Sequence, residues 1–311
     1  MILSCGEALI DMLPRETLSG ETGFVPYAGG SVFNTAIAIG RLGAKAGFFS
    51  GLSSDFLGQI LRDTLEKSRV DTKFCAISDR STTLAFVRLK NGQASYNFYD
   101  ENTAGRLLNE AQLPELDDNV SALMFGGISL ISEPCGSTYE TLMLRESTNR
   151  VTMLDPNIRA AFITDKPKHL ARMQRMIAVA DIVKVSDEDI AWFGLGTDHA
   201  AIAQNWLAPA GQSGPKIIII TKGADGAEAY AACGKVSIGG EKVTVADTVG
   251  AGDTVNAGVL VNLEKQGLLN KQSLAAISQE QLSTAIAFGI KAAAITVSRA
   301  GANPPWDYEM K

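Results

Sequence analysis

The chain is poor in the residues that most often build metal centres and disulfide frameworks. It has two histidines, His169 and His199, and four cysteines, Cys5, Cys75, Cys135 and Cys233, none in a CxxC pair. A Cys/His zinc site has almost no material, and cysteines this far apart read as buried or inert thiols of a reducing compartment. Long apolar runs are missing too: none reaches the ~18 residues of a membrane span. The opening "MILSCGEALIDMLPRE" has no basic start and meets Glu7 too early for a secretion signal, so a cytoplasmic location is expected. Positive charge is not in excess. A formal net charge of −6 leaves no basic stripe for nucleic acid, although a nucleotide needs only local positive potential. Finally, no GxxxxGK[ST] occurs and "GAGDTV" does not satisfy GxGxxG. Both familiar nucleotide loops are therefore absent, and with the second goes the ground for a Rossmann-type oxidoreductase.

What the chain does have is a 46% hydrophobic composition over 311 residues, enough for a sizeable core. Short, β-prone apolar runs recur at 1–11, 121–127, 151–157, 181–186 and 216–221. Segments of helical period lie between them, such as 168–180, where Leu170, Met173, Met176 and Ile177 share a face. This alternation predicts an α/β fold with a parallel sheet covered on both sides. Asp11, Asp155, Asn157, Lys184, Ser186 and Thr221 fall at the predicted carboxyl ends of the strands, the edge at which open α/β sheets bind ligands. Two segments break the pattern. Residues 12–26 are polar and rich in turn formers, and residues 79–106 hold two alternating runs around Asn91-Gly92, a hairpin signal. Both read as excursions forming a small β lid on a single domain whose core is 1–11, 27–78 and 107–311. Phe86, Tyr96 and Phe98 are candidates for covering a ligand ring or for pairing with a second subunit's lid; packing within the hairpin explains them equally well.

Two glycine clusters carry chemistry. In "DTVGAGDTVNAG", residues 247–258, Gly250 and Gly252 allow a tight loop ahead of a helical segment with Val255, Val259, Leu260 and Leu263 on one side. The N–H groups at such a helix start suit a phosphoryl group gaining charge. Taken alone, Asp253 could be a helix cap and Asp247 a turn residue. In "YAGGSVFNTAIAIGRLGA", residues 27–44, Gly29 and Gly30 precede a helix with Asn34 in its first turn. Asp11, expected to end the first strand, is a carboxylate in need of partners, and vicinal sugar hydroxyls are good ones.

Gly29-Gly30 with Asn34, paired with "DTVGAGD" near the other end, resemble the two signatures of the ribokinase-like (PfkB) carbohydrate kinases, in order and spacing over essentially the whole chain. "CGEALIDM", "YNFYDENTAG" and "DPNIR" are most similar to the bacterial fructokinase branch. The resemblance implies a three-layer αβα core with a mostly parallel central sheet and a small β-sheet lid. It also implies transfer of the γ-phosphoryl group of ATP, with Mg²⁺, to a sugar hydroxyl. Matching positions make Asp253 the base and Gly250, Ala251 and Gly252 the anion hole. Asp11, Gly29, Gly30, Asn34 and Arg159 fall on the sugar side. Lys184, Thr221, Gly223, Gly226 and Ile290 fall on the nucleotide side. Asp247 and Val249, with Gly301, resemble a monovalent-cation loop that leaves K⁺ activation open. Ser186-Asp187-Glu188-Asp189 departs from the family's Asn-x-x-Glu, which puts direct metal binding by Ser186 and Asp189 in doubt.

Phosphoryl transfer asks mainly for alignment and charge stabilisation, and a carboxylate at a helix N-terminus is expected to stay ionised. A primary hydroxyl of fructose is the leading acceptor. 2-Keto-3-deoxygluconate, ribose or a nucleoside are alternatives, the first calling for a further cation such as Arg88 or Arg106. A non-catalytic sugar or nucleotide sensor on the same fold is the competing class; a retained base speaks against it. The expected partners are the sugar, ATP and a second copy of the chain joined through the lid.

Overall fold

The apolar runs become strands whose alternate residues serve two helical layers. The computed structural model describes residues 1–90, 93–209 and 211–311, without the side chains of 88–90 and 93–96. In chain order the strands are β1 (Ile2–Cys5), β2 (Leu9–Glu16), β3 (Thr22–Gly29), β4 (Ala46–Phe49), β5 (Gly51–Ser53), β6 (Val70–Asp71), β7 (Ala76–Ser78), β8 (Leu84–Lys90) and β9 (Gln93–Tyr99). Then follow β10 (Ala122–Gly126), β11 (Val151–Asp155), β12 (Ile182–Ser186), β13 (Ile217–Thr221), β14 (Ala227–Ala231) and β15 (Gly234–Ile238). The helices are α1 (Ser31–Arg41), α2 (Phe56–Lys67), α3 (Cys135–Glu146), α4 (Lys166–Ile177), α5 (Asp187–Phe193), α6 (His199–Trp206), α7 (Ala251–Lys265), α8 (Lys271–Ala275) and α9 (Gln279–Val297).

Among the described residues nine strands form one sheet, ordered β15-β14-β13-β12-β11-β10-β1-β4-β6. It is parallel from β13 to β6, and β14 and β15 join antiparallel. The two-residue period of a strand sorts its side chains. In β10, Ala122 and Met124 pack with α1, α7 and α9, whereas Leu123 and Phe125 pack with α3, α4 and α6. This is the three-layer core the resemblance implies. No helix among the described residues is long and apolar enough to cross a membrane.

The chain runs from β1 outward to β4 and β6 and later returns to β10 on the other flank of β1. The order therefore reverses between β1 and β10. That reversal opens a crevice at the carboxyl edge, where a ligand finds room.

A second, four-stranded sheet is ordered β3-β2-β8-β9, with β2 and β8 parallel and the outer pairs antiparallel. Lys90 pairs with Gln93; Asn91 and Gly92 themselves, and the side chains of Arg88 and Tyr96, lie outside the described residues. One expectation is corrected here. Residues 1–11 are not a single strand: β1 stops at Cys5 and Leu9 already belongs to the small sheet, which extends to Gly29 rather than 26. The break falls at Glu7, whose carboxylate accepts the N–H groups of Ser31 and Ser129 and so turns the chain out of the main sheet. Asp11 consequently sits on β2, not at a main-sheet strand end.

Two helical expectations also change. In α4, Met173, Met176 and Ile177 are buried, but Leu170 is only partly so. In α7 every residue from Asp253 to Leu263 is buried, because α1 and α9 pack on it in addition to the sheet. It is a central helix, not an amphipathic one.

Candidate active site

The glycine loop ends in α7 without a side-chain cap. Gly250 holds φ +80°, a left-handed conformation that favours glycine, and no side chain bonds the first turn. The Ala251 N–H donates to Thr248 O at 3.3 Å. Of the expected anion hole, Ala251 is thus engaged, whereas no acceptor among the described residues engages the N–H of Gly250, Gly252 or the following Asp253, which leaves open donors at the positive end of the helix. A Cβ on Gly252 would stand 3.1 Å from Lys184 Nζ, so a cation lies directly against this loop.

Asp253 occupies the third position of α7, buried at 7% exposure. Its Oδ1 accepts from Ser31 Oγ at 2.6 Å and its Oδ2 from Asn34 Nδ2 at 2.9 Å. The structure thus joins the two signatures, more than two hundred residues apart in sequence, through one carboxylate. Burial pushes that carboxyl up to about 6, against the bonds from Ser31 and Asn34; nearby Asp155 adds to the rise and Lys184 opposes it. Loss of water raises the carboxyl, yet at about 6 it is still mostly ionised at neutral pH, as its place at the helix N-terminus leads one to expect.

Lys184 Nζ lies 2.8 Å from Asp155 Oδ2, which also accepts from Asn256 Nδ2 at 2.7 Å. Burial works against the Lys184 charge, but Asp155, Asp189 and Asp253 outweigh it and hold its pKa above the usual value. Asp189 has both oxygens committed: Oδ2 accepts from the N–H and hydroxyl of Ser186, and Oδ1 from the Ile158 N–H. Ser186 and Asp189 form the capping box of α5, which gives both a structural task.

On the sugar side, Gly29 and Gly30 pass between Asp11 and Glu7. The Asp11 carboxylate lies against Gly29 where a side chain would stand, and Gly30 has φ +114°. Asp11 accepts no hydrogen bond among the described residues, and burial raises its carboxyl to about 6. Arg159 is not brought in. It is exposed, its Nη1 donates to Ile158 O, and no hydrogen bond or ion pair ties it to Asp11, Asn34 or Asp253. Arg106 pairs with Asp100 at 2.8 Å. Phe98 shares its face of the small sheet with Asp11, through the pairs Ala85–Phe98 and Asp11–Ala85, and packs edge-on against Phe162 at 4.7 Å. Phe86 points to the opposite face, against Phe24 and Tyr99.

Three residues that sequence reasoning leaves unassigned meet here. Ser31 touches Asp253, Asn157 Nδ2 donates to Ser31 Oγ at 2.6 Å, and Glu7 holds the Ser31 N–H at 2.8 Å. The available signals are slight: a hydroxyl directly after Gly29-Gly30, an amide at a strand end, and an acid inside an apolar run.

On the nucleotide side, Thr221 ends β13 opposite Ser186 of β12, and Gly223 and Gly226 shape an exposed turn with positive φ. Ile290, on α9, is 8% exposed and belongs to the core, so it offers little wall to a base. Asp247 accepts from the Val249 N–H and the Gly301 N–H, both at 3.0 Å, which gathers the three residues of the expected cation loop. No group of three or more His, Cys, Asp or Glu residues that could hold a metal occurs among the described residues. A cavity of about 550 Å³ lies beside the site, lined by Phe98, Arg106, Ile128, Phe162 and Arg172 among others. Of the groups around Asp253 it includes Glu7 alone, so the large void and the catalytic cluster are neighbours, not one space.

The pfkB family of carbohydrate kinases matches residues 1–308. The chain belongs to that family. This carbohydrate kinase is 57% identical over 282 residues to a fructokinase of Rhizobium leguminosarum bv. trifolii, a match spanning 91% of this chain and 85% of the relative. It is 32% identical over 313 residues to fructokinase-2 of Oryza sativa subsp. japonica, covering 98% and 90% of the two chains. Among solved structures it superposes on a Xylella fastidiosa fructokinase with bound ATP at a TM-score of 0.86 and 26% identity, over 97% of this chain and 93% of that one. As a kinase of this family it is a phosphotransferase with a sugar alcohol group as acceptor, as the paired glycine signatures imply.

Proposed function

We propose that the protein transfers the γ-phosphoryl group of ATP to a primary hydroxyl of fructose. The observation that supports this most is the Asp253 carboxylate, held by Ser31 and Asn34 beside open N–H donors and the Lys184 cation. In the reaction the sugar oxygen attacks the γ-phosphorus and forms the new O–P bond. The bond to the β-phosphate oxygen breaks with its electron pair leaving on ADP, and the sugar's proton passes to Asp253. The N–H groups of Gly252 and Asp253 and the Lys184 ammonium face the charge that gathers on the transferring group. Asp11 accepts hydrogen bonds from sugar hydroxyls, with Gly29 and Gly30 keeping the approach open. Thr221, Gly223 and Gly226 line the nucleotide side, in keeping with the ATP held by the Xylella relative.

Mg²⁺, when present, would supply neutralisation of the phosphate charge. The donor set here is not a carboxylate cage: both Asp189 oxygens accept hydrogen bonds, and the buried, unpartnered oxygens among these groups are Asp155 Oδ1 and the Oδ1 of its partner Asn256. That fits a cation carried chiefly by the nucleotide, as Mg²⁺ commonly is. The loop at Asp247, Val249 and Gly301 is the place for K⁺, to be tested by comparing turnover in KCl and NaCl.

The small sheet acts as a lid on a single kinase domain, and a second copy covers its exposed aromatics. The four free cysteines fit a reducing, ATP-containing cytoplasm. ADP release measured over fructose, 2-keto-3-deoxygluconate, ribose and adenosine tests the reading. The highest kcat/KM is expected on fructose. Turnover on none of them would turn the assignment toward a sensor.

A further inference from the structure

The base is gripped by a relay that reaches across three elements. Ser31 opens α1, and its hydroxyl touches two polar side chains: Asp253 Oδ1 at 2.6 Å and Asn157 Nδ2 at 2.6 Å. A hydroxyl has one proton and two lone pairs, whereas an amide nitrogen only donates. Because Asn157 donates into Ser31 Oγ, the single Ser31 proton is directed at Asp253. The backbone of Ser31 is fixed as well: its N–H donates to Glu7 Oε1 at 2.8 Å and its carbonyl accepts from Thr35 Oγ1 at 3.1 Å. Asn34 stands three residues along the same helix face and takes the other carboxylate oxygen at 2.9 Å. With each oxygen held by a donor from one turn of α1, the carboxylate plane cannot rotate. Asn157 reaches its place with φ +43°, a strained conformation for a residue with a side chain, immediately after β11 and Pro156.

We propose that Ser31 is a positioning residue for the catalytic base, and that Asn157 positions Ser31 by setting the direction of its hydroxyl. The proposal rests on the reading of Asp253 as base. The arrangement fixes one lone pair of each Asp253 oxygen and leaves the others for the sugar proton. It also favours the ionised carboxylate within a buried setting. Besides Ser31 and Asn34, the charged groups facing Asp253 are Lys184 from β12 and Asp155 from β11, with Glu7 one residue removed behind Ser31. The substitutions of Ser31 and Asn157 below leave these charges in place, so a moved acid limb in them reports the relay.

The experiment compares kcat, the KM for each substrate and the pH profile of kcat for Ser31→Ala, Ser31→Thr, Asn157→Ala and Asp253→Asn, with melting curves for each. Loss of a hydrogen bond to a charged group predicts that Ser31→Ala lowers kcat about tenfold or more. The acid limb should move up by about half a pH unit or more, with the ATP KM within about twofold of wild type. Ser31→Thr, which keeps the hydroxyl, should restore most of the rate. Asn157→Ala should move the limb the same way, since Ser31 is then free to turn its proton elsewhere. A Ser31→Ala enzyme with unchanged kcat and acid limb overturns the proposal, as does a fall in kcat with the limb unmoved, the mark of packing alone. An unmoved limb in Asn157→Ala overturns the part assigned to Asn157. Undiminished turnover by Asp253→Asn would instead remove the base assignment itself, and the two failures are thereby told apart.

Discussion

Asp253 and Asp11 are both carboxyls raised to about 6 by burial, and both are assigned roles that need the charged form. Substituting Asp253 by Asn removes the proton acceptor, and turnover should fall by on the order of 10²–10⁴ in a steady-state assay, with the circular dichroism spectrum unchanged. The free-enzyme profile should carry a distinct mark. If two carboxylates must be ionised, log kcat/KM declines below about pH 6 with a limiting slope near two, and in Asp11→Asn with a slope near one. A wild-type slope of one would take Asp11 out of the sugar site. Stability responds with the opposite sign. The folded state binds the Asp253 proton more tightly than the unfolded chain, where an aspartate has its ordinary pKa near 3.8. Its contribution is complete below that value and is lost as pH rises through about 6. Near pH 8 this amounts to ~3 kcal/mol at most, from about two pKa units. Asp253→Asn should therefore melt higher than wild type near pH 8, by a margin that shrinks on acidification. Calorimetry at pH 8 and pH 5 checks it.

The placement of the base is also a matter of how α7 is seated. Its middle meets α9 so closely that a Cβ on Gly258 would lie 2.6 Å from the Gly289 Cα. An added methyl must push the two helices apart, and overpacking of this kind costs about 1–3 kcal/mol. Gly258→Ala should show that loss in urea denaturation, together with reduced turnover, because Asp253 rides on the first turn of the displaced helix. Seating of this sort is hard to read from letters. The inner strands of the main sheet were legible because burial on both faces writes itself as short unbroken apolar runs: those at 121–127, 151–157, 181–186 and 216–221 appear as β10 to β13, whereas β4, β6, β14 and β15 were not read from sequence. The paired glycine signatures were legible because open backbone N–H groups need residues of that kind. The break at Glu7 was not, since a buried acid looks like an interruption until Ser31 and Ser129 are seen to supply its donors. Nor was the relay from Asn157 to Ser31, whose partners are 126 residues apart and gain meaning only from the loop geometry. The departure at Ser186 and Asp189 from the family's Asn-x-x-Glu was legible, whereas their joint use as the cap of α5 shows only in the fold.

At the scale of the molecule, the proposed assignment gives the small sheet a share in the sugar site and none in the nucleotide site. Thr221, Gly223 and Gly226 stand at or just beyond the end of a main-sheet strand, whereas Asp11 and Gly29 belong to the small sheet. Movement of the small sheet should therefore be felt by the sugar and hardly by the nucleotide. The face of that sheet turned away from Asp11 carries exposed aromatic surface: Phe24 is 45% exposed and Tyr99 59%, both packed on Phe86, with Leu18 fully exposed at the turn between β2 and β3. Aromatic side chains clustered in this way on an open sheet mark a surface that another chain covers. On the proposed reading, a second copy of this chain packed small sheet to small sheet would bury them and steady the body that holds Asp11. We expect the protein to sediment as a dimer at micromolar concentration. Replacing Phe24 and Tyr99 together by Glu places charges in that interface and should give monomers. The monomer should show a raised KM for the sugar, an ATP KM within about twofold of wild type, and little change in melting of the main core. Sedimentation of the unmodified protein as a monomer would remove the interface. A monomeric variant with both KM values unchanged would keep the interface but sever it from the sugar site.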